Sequence, residues 1–176
     1  MMYRVRNFFI ITALLLAAYL LQYSALIRIP VINCSPNLML IVTFSFGYIR
    51  NRNAGMLVGF FAGLFVDVFY CQVIGYNALV FMALGLICGA LKKVYYSDSL
   101  LTQISILCAC DLVNSLLYYF FWYLLQSKFA FGYCFMNVIL PEFIFTLFAG
   151  IMLVKPLSAL IKKMYIYRSD SEAESV

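Results

Sequence analysis

Three carboxylates lie within otherwise apolar stretches of this chain: Asp67, Asp111 and Glu142. A carboxylate in an apolar helix is costly to keep there, which makes each one a candidate functional group. Together they could form a proton path, a cation site or a ligand pocket, or serve singly as buried hydrogen-bonding links between helices. Asp111, Asn114, Ser115 and Tyr118 recur at helical spacing and make one polar stripe. Glu142 directly follows Pro141, whose missing amide leaves a backbone carbonyl without its helical donor. At about 1.5 Å per residue, Asp67 and Glu142 fall in the outer part of their spans and Asp111 near mid-depth. A proton path stages carboxylates across the whole bilayer, and none falls in the inner third, so the spacing favours links. Histidine is absent, which removes imidazole from acid–base, nucleophile-activation and metal-binding schemes. The sequence contains no nucleophile–base pair, phosphate loop or metal-ligand cluster. The expectation is therefore no enzyme, no cofactor and no metal.

Asp67 also ends a second pattern. Gly55, Gly59, Gly63 and Asp67 recur every fourth residue through an apolar run, so on a helix they share one face. A face bare of side chains lets another helix approach closely, which is how helices pack in lipid. Two readings stay open: packing inside the chain's own bundle, or docking of a second protein.

The element that must position these groups is a set of apolar helices. Of 176 residues, 66% are hydrophobic and 11% charged, and the mean hydropathy is +0.99. A soluble domain of this size cannot hide that much apolar surface, so the bilayer must solvate most of it. The net charge of +5 then marks cytoplasmic span ends rather than nucleic acid. Cys34, Cys71, Cys88, Cys108, Cys110 and Cys134 contain no Cys-x-x-Cys pair and read as small buried apolar residues. A disulfide among Cys34, Cys71 and Cys134 stays open, because all three fall near the outer face.

In order, the first span is expected at about Asn7 to Ile27, retained rather than cleaved, with a small-residue patch at Ala13, Ala17 and Ala18. A loop follows to Ser35, read as the cap of a helix opening at Pro36. The second span, to about Ile49, is short for a hydrocarbon core of about 30 Å. It must borrow length, thin the bilayer or sit sheltered by neighbours. After the polar turn Arg50–Asn53, with Asn53 as cap, the third span runs from Ala54 to about Tyr70. The fourth runs from Tyr76 to Leu91, the fifth from about Leu100 to Leu125, and the sixth from about Phe135 to Val154, interrupted by Pro141. The expected fold is an all-α integral membrane bundle of six transmembrane helices.

Its orientation follows from the basic residues. With both termini in the cytoplasm, Arg4, Arg6, Arg50, Arg52, Lys92, Lys93, Lys155, Lys162, Lys163 and Arg168 face inward. Only Arg28 and Lys128 face out, and such bias sets topology. Beyond Pro156, Leu157, Leu160, Ile161, Met164 and Tyr165 form one apolar side with Lys162 and Lys163 beside them. That pattern suits an amphipathic helix on the lipids of the inner leaflet, or a sixth span that simply continues. The chain thus divides into a membrane domain, 1–155, and a cytoplasmic helix with a short acidic tail, 156–176.

Ser35-Pro36-Asn37 opening the second span, the basic turn, the Gly59-x-x-x-Gly63-x-x-x-Asp67 stretch and Gly75 give the chain a resemblance to the MreD family. Asp111 and the Asn137–Pro141 stretch fit the same pattern. The likeness spans essentially the whole chain and is sharpest from Pro36 to Lys93. It departs at Cys71 and Gln72-Val73-Ile74-Gly75, where the family often has a small residue and a Pro-Leu-Gly-like turn. The resemblance implies a non-enzymatic scaffold of the bacterial cytoplasmic membrane, part of the rod-shape (elongasome) machinery for peptidoglycan synthesis. Its implied partners are an MreC-like bitopic protein and, directly or indirectly, the MreB filament and the RodA–transpeptidase pair. The family's fold is also similar to the S-component subunits of energy-coupling-factor vitamin transporters. On that alternative, Ala13 and Ala17 would meet the coupling subunit, and Asp67, Asp111 and Glu142 would line a vitamin pocket.

Overall fold

The computed structural model describes residues 2–23, 35–70, 75–94, 100–121 and 135–173. Within them all regular structure is helical: α1 (Met2–Tyr23), α2 (Leu38–Ile49), α3 (Arg52–Tyr70), α4 (Tyr76–Val94), α5 (Leu100–Tyr119) and α6 (Leu140–Ala173). A π-helical turn, Phe135–Ile139, leads into α6. Arg52–Phe69, Leu100–Tyr119 and Leu140–Lys163 are long and apolar enough to cross a membrane. Phe9–Gln22, Leu38–Ile49 and Tyr76–Lys92 are shorter apolar helices. Large apolar side chains such as Phe9, Leu101, Phe148 and Met152 stand exposed on the outside, as a lipid-facing surface requires.

The centre is α2. Its twelve residues rise only about 18 Å, and every residue from Leu38 to Tyr48 is buried. A helix that is apolar all round belongs inside protein, and α1, α3, α4, α5 and α6 all pack against it. Its two hydroxyls turn inward onto its own backbone: Thr43 Oγ1 donates to the Met39 carbonyl at 2.9 Å and Ser45 Oγ to that of Ile41 at 2.8 Å. The short second span is therefore sheltered by its neighbours.

Two helix starts differ from the sequence expectation. The cap of α2 is Asn37 rather than Ser35, with Asn37 Oδ1 accepting from the Leu40 amide at 3.2 Å. Asparagine caps at least as well as serine, and Pro36 then sits just outside the helix. Helix α3 starts at Arg52, where the Gly55 amide donates to the Asn51 carbonyl at 3.0 Å. Asn51, not Asn53, is thus the residue before the first turn.

Helix α6 runs 34 residues with Pro156 inside it. Val154, Leu157 and Ile161 are buried at i, i+3 and i+7, so one face stays on the bundle past the proline, while Leu160 is exposed. Cys34, Cys71 and Cys134 lie outside the described residues, whereas Cys88, Cys108 and Cys110 are reduced.

Candidate functional site

The glycine stripe is occupied from within the chain. A Cβ at Gly55 would meet Gly47 of α2 and, at 2.6 Å, the Gly85 carbonyl of α4. One at Gly59 would meet the Phe81 carbonyl and Thr43 Cγ2, the latter at 2.8 Å, and one at Gly63 the backbone of Asn77 and Ala78. Four residues forward on α3 match four residues back on α4, so the two helices run antiparallel with backbones in direct contact. Gly85 meets Gly55, and Gly89 meets Arg52, in the same seam. The bare face is therefore filled by α4 and α2.

Asp67 terminates that seam and ties off the next helix. It is 0% exposed. Its Oδ2 accepts from the amides of Gly75 and Ala78, each at 3.0 Å. Its Oδ1 accepts from the Asn77 amide at 3.1 Å and from Asn77 Nδ2 at 2.9 Å. These amides are the orphan donors of the first turn of α4, where the helix dipole also favours a negative charge. Gly75 supports the turn with a φ of +102°, a conformation side chains resist. The carboxylate is a structural bolt between α3 and α4.

The start of α2 lies at the same end of the bundle and is held by neighbours. The Met39 amide donates to Gln22 Oε1 of α1 at 3.0 Å. The Asn37 amide donates to Thr146 Oγ1 of α6 at 3.1 Å, and that hydroxyl donates to the Glu142 carbonyl at 2.8 Å. At the opposite end Lys92 Nζ donates to the Ile49 carbonyl at 2.9 Å, closing the last turn of α2.

The polar stripe of α5 is different. Asp111, Asn114 and Ser115 are all buried, as is Gln103 two turns below Asp111. Asp111 is 1% exposed, yet neither of its carboxyl oxygens has a hydrogen-bond partner among the described residues. Ser115 Oγ and Gln103 Oε1 are likewise without one. Helix α5 packs on α6, with lighter contacts to α2 and α4, and Gly150 of α6 receives the Leu107 side chain on this face. Glu142, half-buried near the start of α6, lies on the helix that packs against α5. The structure thus sets Asp111 and Ser115 on a helix packed against the one that carries Glu142, and keeps Asp67 apart, because α3 packs on α4, α2 and α1.

Residues not singled out in the sequence include Gln22, Asn77 and Thr146, which complete the caps; Asn37 was named only within Ser35-Pro36-Asn37, not as a cap. Asn77 had a local signal, two residues after a glycine and at the head of an apolar run; Gln22 and Thr146 act on residues far along the chain and had none. Cys88 Sγ and Cys110 Sγ lie 3.2 Å apart between α4 and α5, a buried thiol contact. On α1, Ala13 and Ala17 are exposed while Ala18 is buried.

No curated relative and no solved structure shows a match to the chain. Residues 2–164 match the family described as rod shape-determining protein MreD. With all but the last residues covered by that match, and with an apolar helical fold suited to membrane insertion, the chain belongs to the MreD family.

Proposed function

We propose that this chain is a non-enzymatic scaffold of the cell-wall elongation machinery, binding an MreC-like bitopic protein in the cytoplasmic membrane. Through that partner it helps couple cytoplasmic MreB filaments to the RodA glycosyltransferase and its transpeptidase. The observation that carries the reading is the family match along residues 2–164. The way the chain uses its polar groups supports it: Asp67, Asn37, Gln22 and Thr146 bind helices to one another. The glycine face then serves binding indirectly, by setting the α3–α4 pair rigidly and leaving other helix faces for the partner.

The same proposal includes six spans in an S-component-like arrangement, both termini cytoplasmic, and a division at residue 155. The basic residues at the alternating helix ends support the orientation. Lys162 and Lys163 are exposed while Leu157 and Ile161 face the bundle, which favours a sixth span that continues past Pro156 and carries its lysines at the inner headgroups.

Mild extraction of native membranes and affinity purification of the tagged chain tests the reading. An MreC-like bitopic protein is expected to copurify, and depletion of the chain is expected to round the cells. Copurification of a tightly held small molecule without any such partner would refute the scaffold in favour of a transporter subunit. Reporter fusions after Val176 and within 126–133 should read cytoplasm and exterior respectively.

A further inference from the structure

Buried oxygen atoms in proteins almost always find a donor, and an exception points to strain, chemistry or an ion. On α5 four such atoms have no partner among the described residues: both carboxyl oxygens of Asp111 and, one turn on, Ser115 Oγ, with Gln103 Oε1 two turns away. Gln103, Asp111 and Ser115 are only 7%, 1% and 4% exposed. The same fold satisfies Asp67 with four donors, so the difference at Asp111 is not a general feature of its buried carboxylates.

The spacing says what would satisfy them. Asp111 and Ser115 are one helical turn apart, with Cβ atoms about 5–6 Å from each other. Their oxygens do not bond to one another, yet both can reach an ion between them, since hard cations hold oxygens at about 2.3–2.6 Å. Glu142 stands half-buried near the start of α6, the helix packed on α5, and adds a further carboxylate near the rim. Just before it, the π-helical turn Phe135–Ile139 and Pro141 disturb the regular backbone ladder. Such wide turns recur at functional sites because they release carbonyl oxygens. The ligands are all hard oxygens, which disfavours soft metals. Among the described residues no three His, Cys, Asp or Glu side chains converge to hold a metal ion, which argues against a zinc-like or divalent site. Of the two carboxylates only Asp111 is fully buried, while Glu142 is half-buried at the rim; one fully buried carboxylate asks for one positive charge, because net charge left in the low-dielectric interior is costly.

We propose that Asp111 and Ser115 of α5, completed by Glu142 of α6, bind a small monovalent cation inside the bundle, with sodium as its representative. Occupancy clamps α5 to α6, the two helices whose seam contains the site. The bound ion thereby tightens the half of the bundle that lacks a glycine seam.

Thermal unfolding of the purified full chain in detergent, in sodium, magnesium, calcium or choline chloride at equal ionic strength and at two values of pH, tests this. Sodium is expected to raise the midpoint saturably by about 5 °C over choline. Asp111→Asn should abolish the increment. Ser115→Ala, which changes little else, should raise the half-saturating sodium concentration by about tenfold, so the test survives if Asp111→Asn folds poorly. Equal midpoints in sodium and choline would overturn the proposal. So would an unaltered sodium increment in both variants, which places the effect elsewhere, or a response to magnesium or calcium alone. A midpoint that moves with pH but not with sodium would also overturn it, showing Asp111 to be a protonated link between helices.

Discussion

Asp67 and Asp111 are the same side chain, equally buried, in neighbouring parts of one bundle, and the fold treats them in opposite ways. Asp67 receives four donors, three of them backbone amides at the start of a helix that begins nine residues later. Asp111 receives none. Around Asp67 the helices touch backbone to backbone through Gly55, Gly59 and Gly63, so the carboxylate sits where α4 must start. Around Asp111 the contact is made by side chains such as Leu107 against Gly150, and the polar atoms have no helix end to cap. A buried carboxylate is tolerable where donors meet it, as at Asp67; without them its burial is costly.

The largest expected effect is at Asp67. Asp67→Leu strands three backbone amides and the Asn77 side chain in the interior, a loss of at least about 3 kcal/mol. Asp67→Asn keeps one acceptor oxygen for Asn77 but turns an NH₂ toward the Gly75 and Ala78 amides, and should cost about 1–3 kcal/mol. Thermal unfolding in detergent separates the two. If leucine and asparagine behave alike, the four-donor account of Asp67 is wrong.

Next comes the seam that carries Asp67. Gly59→Ala places a methyl against the Phe81 carbonyl and Thr43 Cγ2, and backbone atoms cannot step aside as a side-chain tip can. The expected loss is about 1–3 kcal/mol with fewer intact α3–α4 pairs, and Gly59→Leu should be worse. Protein abundance and partner copurification should fall together. Loss of binding by a variant of full stability would instead restore a docking role to this face.

Much of this contrast was legible in the sequence, and some was not. The four-residue period of Gly55, Gly59 and Gly63 announces a bare face, but spacing says nothing about which helix fills it. That α2 is central does not follow from its composition, since a helix apolar all round suits lipid as well as a protein interior; only its shortness left shelter by neighbours as one of three options. Asp67 announces a polar link, and its partners are close in sequence, but they become donors only because α4 starts at Tyr76. The cap at Asn37 was misplaced by two residues because Ser-Pro is a strong local start signal. It is outweighed here by tertiary bonds from Gln22 and Thr146, which are invisible to any local pattern. The bare oxygens of Asp111 are equally invisible, because an absence of partners is a property of the packed bundle.

Asn37 sharpens the comparison on a smaller scale. Its side chain caps α2 while its amide is held by Thr146. Asn37→Ala removes the first bond and keeps the second, so a loss of about 1 kcal/mol is expected, in the usual range for a helix cap. Hydrogen exchange should rise at Leu40 and leave the seam around Gly59 unaffected. Uniform acceleration along α3 and α4 would show that the two regions unfold as one unit.

The smallest expected effect is the most telling. In sodium-free buffer, Asp111→Asn removes a charge that the protein itself does not satisfy, so no native hydrogen bond is lost. The amide introduces two donors of its own, and the neighbouring Glu142 carboxylate and Ser115 Oγ are acceptors for them. The net change should stay within about 1 kcal/mol of the native chain, in either direction. Asp67→Asn, the identical substitution on an equally buried residue, should fall well below that range under the same conditions. A double variant carrying both should show additive losses, since the two carboxylates share no partner and their helices do not pack closely on one another. A large penalty for Asp111→Asn without sodium would mean that the charge is already paired inside the bundle, and the contrast between the two aspartates would collapse.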